Sequence, residues 1–201
     1  MSVDGHNSLS QSDVVALLQS RGALTTGHFV LSSGRHSDRF IQKFRIFEDP
    51  RTADAVCGAL AELLRPYDAR VVVSAAVGGI LPGYIVARAL GVRDIFTEKE
   101  ADKPVLRRGF TIARGERCLI VEDVMTTGRS TAEVAAVVQA NGGEVCAVGT
   151  IVKRGQAALP YPLVALLDFP LPDHAPDACP LCAAGVPLQD PGSRRIGSLK
   201  G

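Results

Sequence analysis

Residues Arg117–Val134 read RCLIVEDVMTTGRSTAEV, and the order of their chemistry decides the fold. Cys118-Leu119-Ile120-Val121 is an unbroken apolar run, as expected of a strand buried on both faces of a parallel sheet. Glu122 and Asp123 follow at its carboxyl end. Then come Thr126-Thr127-Gly128-Arg129-Ser130 and a helical pattern in which Val134, Ala135 and Val138 share a face. Ligands of open α/β sheets lie outside the carboxyl ends of the strands. A loop feeding a helix N-terminus offers unpaired amides and the positive end of the helix dipole, which suits a phosphate. Gly128 permits close approach, and Thr126, Thr127 and Ser130 add hydroxyl donors. The loop lacks the lysine of a Walker loop. Two adjacent carboxylates would repel a polyphosphate unless they hold vicinal ribose hydroxyls with a hard cation nearby. The stretch is built for a sugar phosphate; the plain alternative is a loop whose Thr and Ser merely cap a helix.

The rest of the composition sets bounds. A chain of 201 residues fits one domain with a sizeable core, and 46% hydrophobic with 21% charged residues is ordinary for a globular protein. A net charge of +1 gives no bulk attraction to nucleic acid or membranes. Residues 1–12 carry no apolar core like that of a signal peptide, and the apolar window from Ala75 to Leu90 is broken by glycines, Pro82 and Arg88. Five cysteines, three of them isolated in apolar surroundings, point to reduced thiols in a cytoplasmic protein. Cys57, Cys118 and Cys146 read as core residues.

Taken in order, Ser12 to Ser20 predicts an amphipathic helix carrying Val14, Leu17 and Leu18, ending near Gly22. Gly27 to Ser37 predicts a strand running into a Gly/Ser turn, and Phe40 to Phe47 a second strand with Lys43 and Arg45 on one side. Asp49-Pro50 opens a helix striped by Ala53, Val56, Leu60 and Leu63. Val71-Val72-Val73 predicts a buried strand, followed by Ser74 to Gly79, where Gly78 and Gly79 let backbone amides reach a pyrophosphate. Ile80 to Leu90 predicts a helix starting near Pro82 and stopped by Gly91; Ile95-Phe96 ends a third strand. Thr97 to Ile112 is polar, either a solvated hairpin or a mobile lid whose Lys99, Lys103, Arg107 and Arg108 close over an anion. Glu144 to Val152 predicts a strand ending at Lys153-Arg154-Gly155, where a guanidinium is placed to pair with a carboxylate. Leu163 to Leu167 is another short apolar segment, and the tail from Pro170 reads as irregular.

VEDVMTTGRST resembles the phosphoribosyl-pyrophosphate (PRPP) signature of type I phosphoribosyltransferases: apolar run, two acids, two residues, then T-T-G-x-S/T. Phe29 to Ser37, FVLSSGRHS, resembles the F-x-L-x-S-G-x-x-S segment of the orotate phosphoribosyltransferases. Phe96-Thr97-Glu98-Lys99-Glu100 and the Arg154 position fit that family. The tail Cys179-Pro180-Leu181-Cys182 through Pro191-Gly192-Ser193 looks like the ending of a bacterial branch of it. Two departures stand out. Ser32 occupies the place of a lysine in the better-known branch. The lid pattern Arg-Lys-x-x-Lys-x-His is met by Glu98, Lys99, Asp102 and Pro104, so only Lys99 is in register and Lys103 falls one position late.

The resemblance implies an α/β fold, a mainly parallel central sheet flanked by helices. It implies one domain over residues 1–201, with a core of about 50–168, a small hood from about 12–48 and 169–193, and a lid of about 97–112. It implies transfer of ribose 5-phosphate from PRPP to orotate, giving orotidine 5′-monophosphate and pyrophosphate. Catalytic roles fall to Lys99, Lys103 and Asp123. PRPP contacts fall to Glu122, Asp123, Val124, Met125, Thr126, Thr127, Gly128, Arg129, Ser130, Gly78, Gly79, Lys99, Arg107 and Arg108. Orotate contacts fall to Thr126, Arg154, Phe40, Ser33 and Gly34. Mg²⁺ is implied, bound mainly through PRPP with no side-chain ligand assigned, and so is a homodimer with shared sites. The alternatives are a purine phosphoribosyltransferase and a non-catalytic nucleotide-sensing regulator on the same fold. The regulator would bind RNA or DNA and need a broad basic surface, against a net charge of +1.

The remaining candidates are histidines and cysteines. Cys179-x-x-Cys182 with His174 upstream forms part of a zinc set, but a fourth ligand is lacking and no second CxxC exists, so a packed tail is the expectation. His28 and His36 flank the Ser-Gly turn and receive no catalytic role, nor does His6.

Overall fold

The computed structural model describes residues 9–31 and 33–191. Ser32, His6, Gly192 and Ser193 lie outside the described residues. The first helix, α1 (Gln11–Ser20), is closed by a reciprocal cap: Asp13 N–H donates to Ser10 Oγ at 3.2 Å and Ser10 N–H to Asp13 Oδ2 at 3.0 Å. An antiparallel pair follows, β1 (Leu24–Val30) and β2 (His36–Ile41). The expected strand over Phe40 to Phe47 is not formed. Pairing stops at Ile41, and Phe44–Phe47 is a helical turn, α2, that buries Ile46 and leaves Arg45 on the surface with Glu48. A short apolar run serves either geometry, and here burial of Ile46 on the way into the next helix decides.

That helix, α3 (Pro50–Leu64), starts at the Asp49 cap and buries Ala53, Val56, Cys57, Leu60 and Leu64. Leu63, expected in the stripe, is 48% exposed, because its neighbour Leu64 continues the i+4 row from Leu60. The six-stranded sheet comprises β3 (Val71–Ala75), β4 (Arg93–Glu100), β5 (Lys103–Leu106), β6 (Arg117–Met125), β7 (Glu144–Lys153) and β8 (Leu163–Asp168). Their spatial order is β5-β4-β3-β6-β7-β8, all parallel except the antiparallel edge strand β5. The helix α4 (Ile80–Leu90) begins at Ile80 rather than Pro82 and ends at Gly91, whose φ of 73° is the left-handed stop expected of glycine.

Period-two alternation partitions the core between the two faces of the sheet. Val72, Leu119 and Val121 pack with α1, α3 and α4; Val71, Val73, Cys118 and Ile120 pack under α5 (Arg129–Ala140) through Val134, Ala135 and Val138. Cys57 and Cys118 are buried, Cys146 is half-buried, and all three carry free thiols.

Two segments depart from expectation in an informative way. The polar stretch from Thr97 continues β4 and turns through Ala101 and Asp102, both at positive φ, into β5. Its far end is anchored by apolar contacts, since Phe110 stacks edge-on against Phe96 at 5.2 Å and Ile112 is buried. The tail is not merely irregular. It docks on both edges of the β1–β2 pair, with His174 bridged to His36 and Gln189 to Phe29, and adds a last helical turn, α6 (Pro180–Ala183).

Candidate active site

The carboxyl ends of β3, β4 and β6 open into one cleft of about 220 Å³. Gly78, Gly79, Lys99, Glu122, Asp123 and Ser130 all line it, together with Lys43 and Glu133. Neighbouring parallel strands thus bring together three stretches the sequence singled out separately.

The paired acids sit in different surroundings. Glu122 accepts a hydrogen bond from Thr131 Oγ1 at 2.8 Å. Burial, with a smaller push from the Asp123 charge, raises its carboxyl above the usual range, against that bond and Lys43. Asp123, 5% exposed, accepts from Val124 N–H through Oδ1 at 2.6 Å, and its Oδ2 lies 2.7 Å from Lys43 Nζ. The ammonium contact lacks hydrogen-bond geometry, so Oδ2 keeps an unfilled acceptor position. Lys43 was read from sequence only as part of a strand. Its site role was not legible there, because the contact spans a long chain separation and no local pattern marks it.

The glycine loop after β3 is shaped by close approach. A Cβ on Gly78 would collide with Asp123 Oδ2 and lie 2.6 Å from Lys43 Nζ; one on Gly79 would lie 2.9 Å from Ala75 O. The peptide between Ala76 and Val77 is cis, and Ala76 N–H donates to Thr97 O at 2.8 Å, tying the loop to the base of the β4–β5 hairpin.

Beyond β6, Thr126 and Thr127 form an exposed bend and Gly128 takes φ 77° as the residue before α5. Gly128 offers that helix no side-chain cap; among the described residues Arg129 N–H donates to Thr127 Oγ1 at 3.4 Å, and the other first-turn amides are left for an anion. Val124 and Met125 belong to the strand, and the Met125 side chain is fully buried, leaving only its backbone for a ligand. Arg129 turns to Glu133 at 2.9 Å.

The hairpin sorts its cations. Lys99 stands opposite Pro104 and Glu100 opposite Lys103, so Lys99 faces the cleft with Thr97, and Lys103 lies on the other side. Arg108 is held by Glu98 through two bonds of 2.9 and 2.8 Å and lies over the Phe96 ring, while Arg107 acts on Glu98 only at longer range.

At the end of β7, Arg154 N–H donates to Met125 O at 2.8 Å, and a Cβ on Gly155 would lie 2.8 Å from Thr126 O. The two loops are therefore in close contact. The Arg154 Nε is buried without a partner among the described residues. Desolvation lowers the guanidinium pKa from its ordinary value, with Asp173 opposing. Phe40 is buried against Phe29 at 5.7 Å and does not line the cleft, and Ser33 and Gly34 form the exposed turn of the hairpin.

A parallel sheet of this order, with paired acids and a glycine loop at one cleft, is the frame of a phosphoribosyltransferase, and residues 45–161 match the phosphoribosyl transferase domain family. An orotate phosphoribosyltransferase of Thermotoga petrophila is 46% identical over 90% of this chain and 97% of its own length. One from Desulforamulus reducens is 43% identical over 94% of this chain and 100% of its own. The crystal structure of orotate phosphoribosyltransferase from Aeropyrum pernix superposes with a TM-score of 0.65 at 28% identity, over 77% of this chain and 92% of that one. The chain belongs to the phosphoribosyltransferase family, and within it to the orotate phosphoribosyltransferases.

Proposed function

We propose that this chain transfers ribose 5-phosphate from PRPP to orotate, releasing pyrophosphate. The observation that carries the choice of acceptor is the buried, unpartnered Nε of Arg154 beside the Thr126 loop. A buried N–H left without a partner among the described residues is costly, and a planar carboxylate is the natural complement of a guanidinium. Orotate carries one; the purine bases do not.

The amides of the Thr126–Ser130 loop hold the 5′-phosphate, and the Gly78 amide meets the pyrophosphate, while Gly79, whose own amide donates to Ala75 O at 2.9 Å, keeps the turn tight enough for that approach. Glu122 and Asp123 face the ribose hydroxyls. Positive charge grows on the ribose ring as pyrophosphate departs, and the buried Asp123 carboxylate stabilises it, while Lys99 and Lys43 offset charge on the leaving group. Lys103, Arg107 and Arg108 complete the lid, Arg108 after release from Glu98. The cleft fits Mg²⁺ in its chemistry, since Glu122 and Asp123, which line it, are hard oxygen donors. These acids would hold the ion, largely through water, and when bound it neutralises pyrophosphate.

Exposed Val77, Leu81 and Tyr84 form one apolar face at the start of α4, beside the glycine loop, and support a homodimer packed there. No helix among the described residues is long and apolar enough to cross a membrane. We assign the enzyme to the cytoplasm on its free thiols. The test is turnover with PRPP and Mg²⁺ of orotate against adenine, hypoxanthine and xanthine. Orotate alone should be consumed, and turnover of a purine in its place would overturn the reading.

A further inference from the structure

Between the β1–β2 pair and the C-terminal segment, four side chains converge. The His28, His36, Cys179 and Cys182 ligand atoms all lie within 4.8 Å of one another. We infer that they form a closed, structural Cys₂His₂ zinc site that staples the C-terminal segment to the β1–β2 pair.

The distances carry this inference. The Nε2 of His28 lies 3.2 Å from His36 Nδ1, 3.5 Å from Cys179 Sγ and 3.7 Å from Cys182 Sγ; His36 Nδ1 lies 3.3 Å from Cys182 Sγ. Zinc bonds of about 2.0–2.1 Å to nitrogen and about 2.3 Å to sulfur, at tetrahedral angles, place N···N at about 3.3 Å and N···S at about 3.5 Å. These four distances agree with the zinc values within a few tenths of an ångström, and the remaining two pairs lie within 4.8 Å. His174, which sequence pointed to, is instead paired to His36 through the backbone, at 2.8 Å in each direction.

The surroundings also suit an ion. His28, His36 and Cys179 are buried, at 1%, 6% and 4% exposure. The other ring nitrogen of His28, Nδ1, lies 2.8 Å from Val186 O. A carbonyl only accepts, so Nδ1 carries the proton and Nε2 presents a bare lone pair to the cluster. With four protein ligands there is no open coordination position, which separates a structural from a catalytic zinc. The ligands come from two segments far apart in the chain, with His28 and Cys179 separated by 151 residues, and a metal joining them would add to the order of both. Gln189 N–H donates to His28 O at 2.8 Å and Val30 N–H to Gln189 O at 3.0 Å, so the metal would also fix the edge carrying the Ser33–Gly34 turn. Binding releases the protons of the two thiols to solvent, with no change in oxidation state.

The full chain, purified under reducing conditions, should contain about one zinc per chain by plasma emission spectrometry. Cys179→Ser and Cys182→Ser should each lower this at least about tenfold, while Cys146→Ala, outside the cluster, keeps it. Should the variants fail to fold, the parent chain decides. Stripped of metal and titrated with Co²⁺, it should develop the visible bands of tetrahedral cobalt and a near-ultraviolet thiolate charge-transfer band that Zn²⁺ abolishes. Absence of these bands, a Cys179–Cys182 disulfide in the reduced preparation, or full zinc content in folded Cys182→Ser would each overturn the inference.

Discussion

Lys43 Nζ stands 2.7 Å from Asp123 Oδ2, joining the segment after the N-terminal hairpin to the end of the central strand. The lysine is about one-third exposed and the aspartate almost wholly buried, so the pair sets the charge of the cleft floor at modest cost. Asp123→Asn keeps the shape and removes the charge that faces the ribose. Turnover should fall by about a hundredfold or more, near 2.7 kcal/mol, while the thermal midpoint shifts by only a few degrees. Lys43→Ala leaves the carboxylate unpaired and should destabilise by about 1–2 kcal/mol, part of which the double variant with Asp123→Asn recovers. Normal turnover in Asp123→Asn would remove the ribose role, and strict additivity in the cycle would remove the pair's.

Gly78 is set by contact. Gly78→Ala should raise the PRPP KM about tenfold or more, because the new methyl must displace Asp123 and Lys43. Gly58 in α3 is the control, since a Cβ there meets nothing within 4 Å, and Gly58→Ala should stabilise by about 0.5–1 kcal/mol. Equal behaviour of the two variants in steady-state kinetics would show that the close approach at Gly78 is unimportant.

The hairpin predicts a ranking. Lys99→Ala should lower kcat more than it weakens orotate binding, because Lys99 faces the cleft. Lys103 lies across the hairpin from it. Lys103→Ala should therefore do less to this chain's own site and act on a partner's in the proposed dimer. Arg108 must first leave Glu98, so Glu98→Gln should ease its recruitment and lower the PRPP KM. If Lys99, Lys103, Arg107 and Arg108 could each be replaced by alanine without effect, the hairpin would be no lid.

Arg154→Ala removes the charge proposed for the orotate carboxylate. The orotate KM should rise by about 10- to 150-fold, the equivalent of about 1.5–3 kcal/mol for a charge-assisted bond, with PRPP affected far less. Equal losses for both substrates would place Arg154 in a structural role.

Asp94 gives a pH dependence. Burial pushes its carboxyl up to about 6 from 3.8, and its Oδ1 has no partner among the described residues. The folded chain therefore holds a proton that the unfolded chain releases. Stability from this group is highest below about 4 and is lost as pH rises from about 4 to about 6. The full shift would be worth about 3 kcal/mol; with nearly half the group solvated, about 1–2 kcal/mol is expected. Asp94→Asn should thus be more stable than the parent by that amount near neutral pH, and equal to it near pH 4, by urea unfolding. A gap independent of pH would rule this out.

The sequence by itself determined the central strand, the paired acids at its end and the glycine loop that opens α5. Cys118–Val121, the paired acids, Gly128 and the helix after it are contiguous, so their geometry follows from local periodicity and backbone freedom. The glycine loop after β3 and the polar stretch from Thr97 were legible for the same reason, and their meeting at one cleft follows from the parallel order of β3, β4 and β6. Only the tertiary structure decided that Phe44–Phe47 is helical, since burial of Ile46 chose between two permitted periods. It alone placed Lys43 on Asp123 and left the Arg154 Nε unpartnered. It also set Cys179 beside His28 across a separation of 151 residues. Local patterns encode an element's own conformation. Which side chains meet is set when the elements pack: the Cys179-x-x-Cys182 spacing was legible, but no spacing in the sequence ties it to His28 and His36.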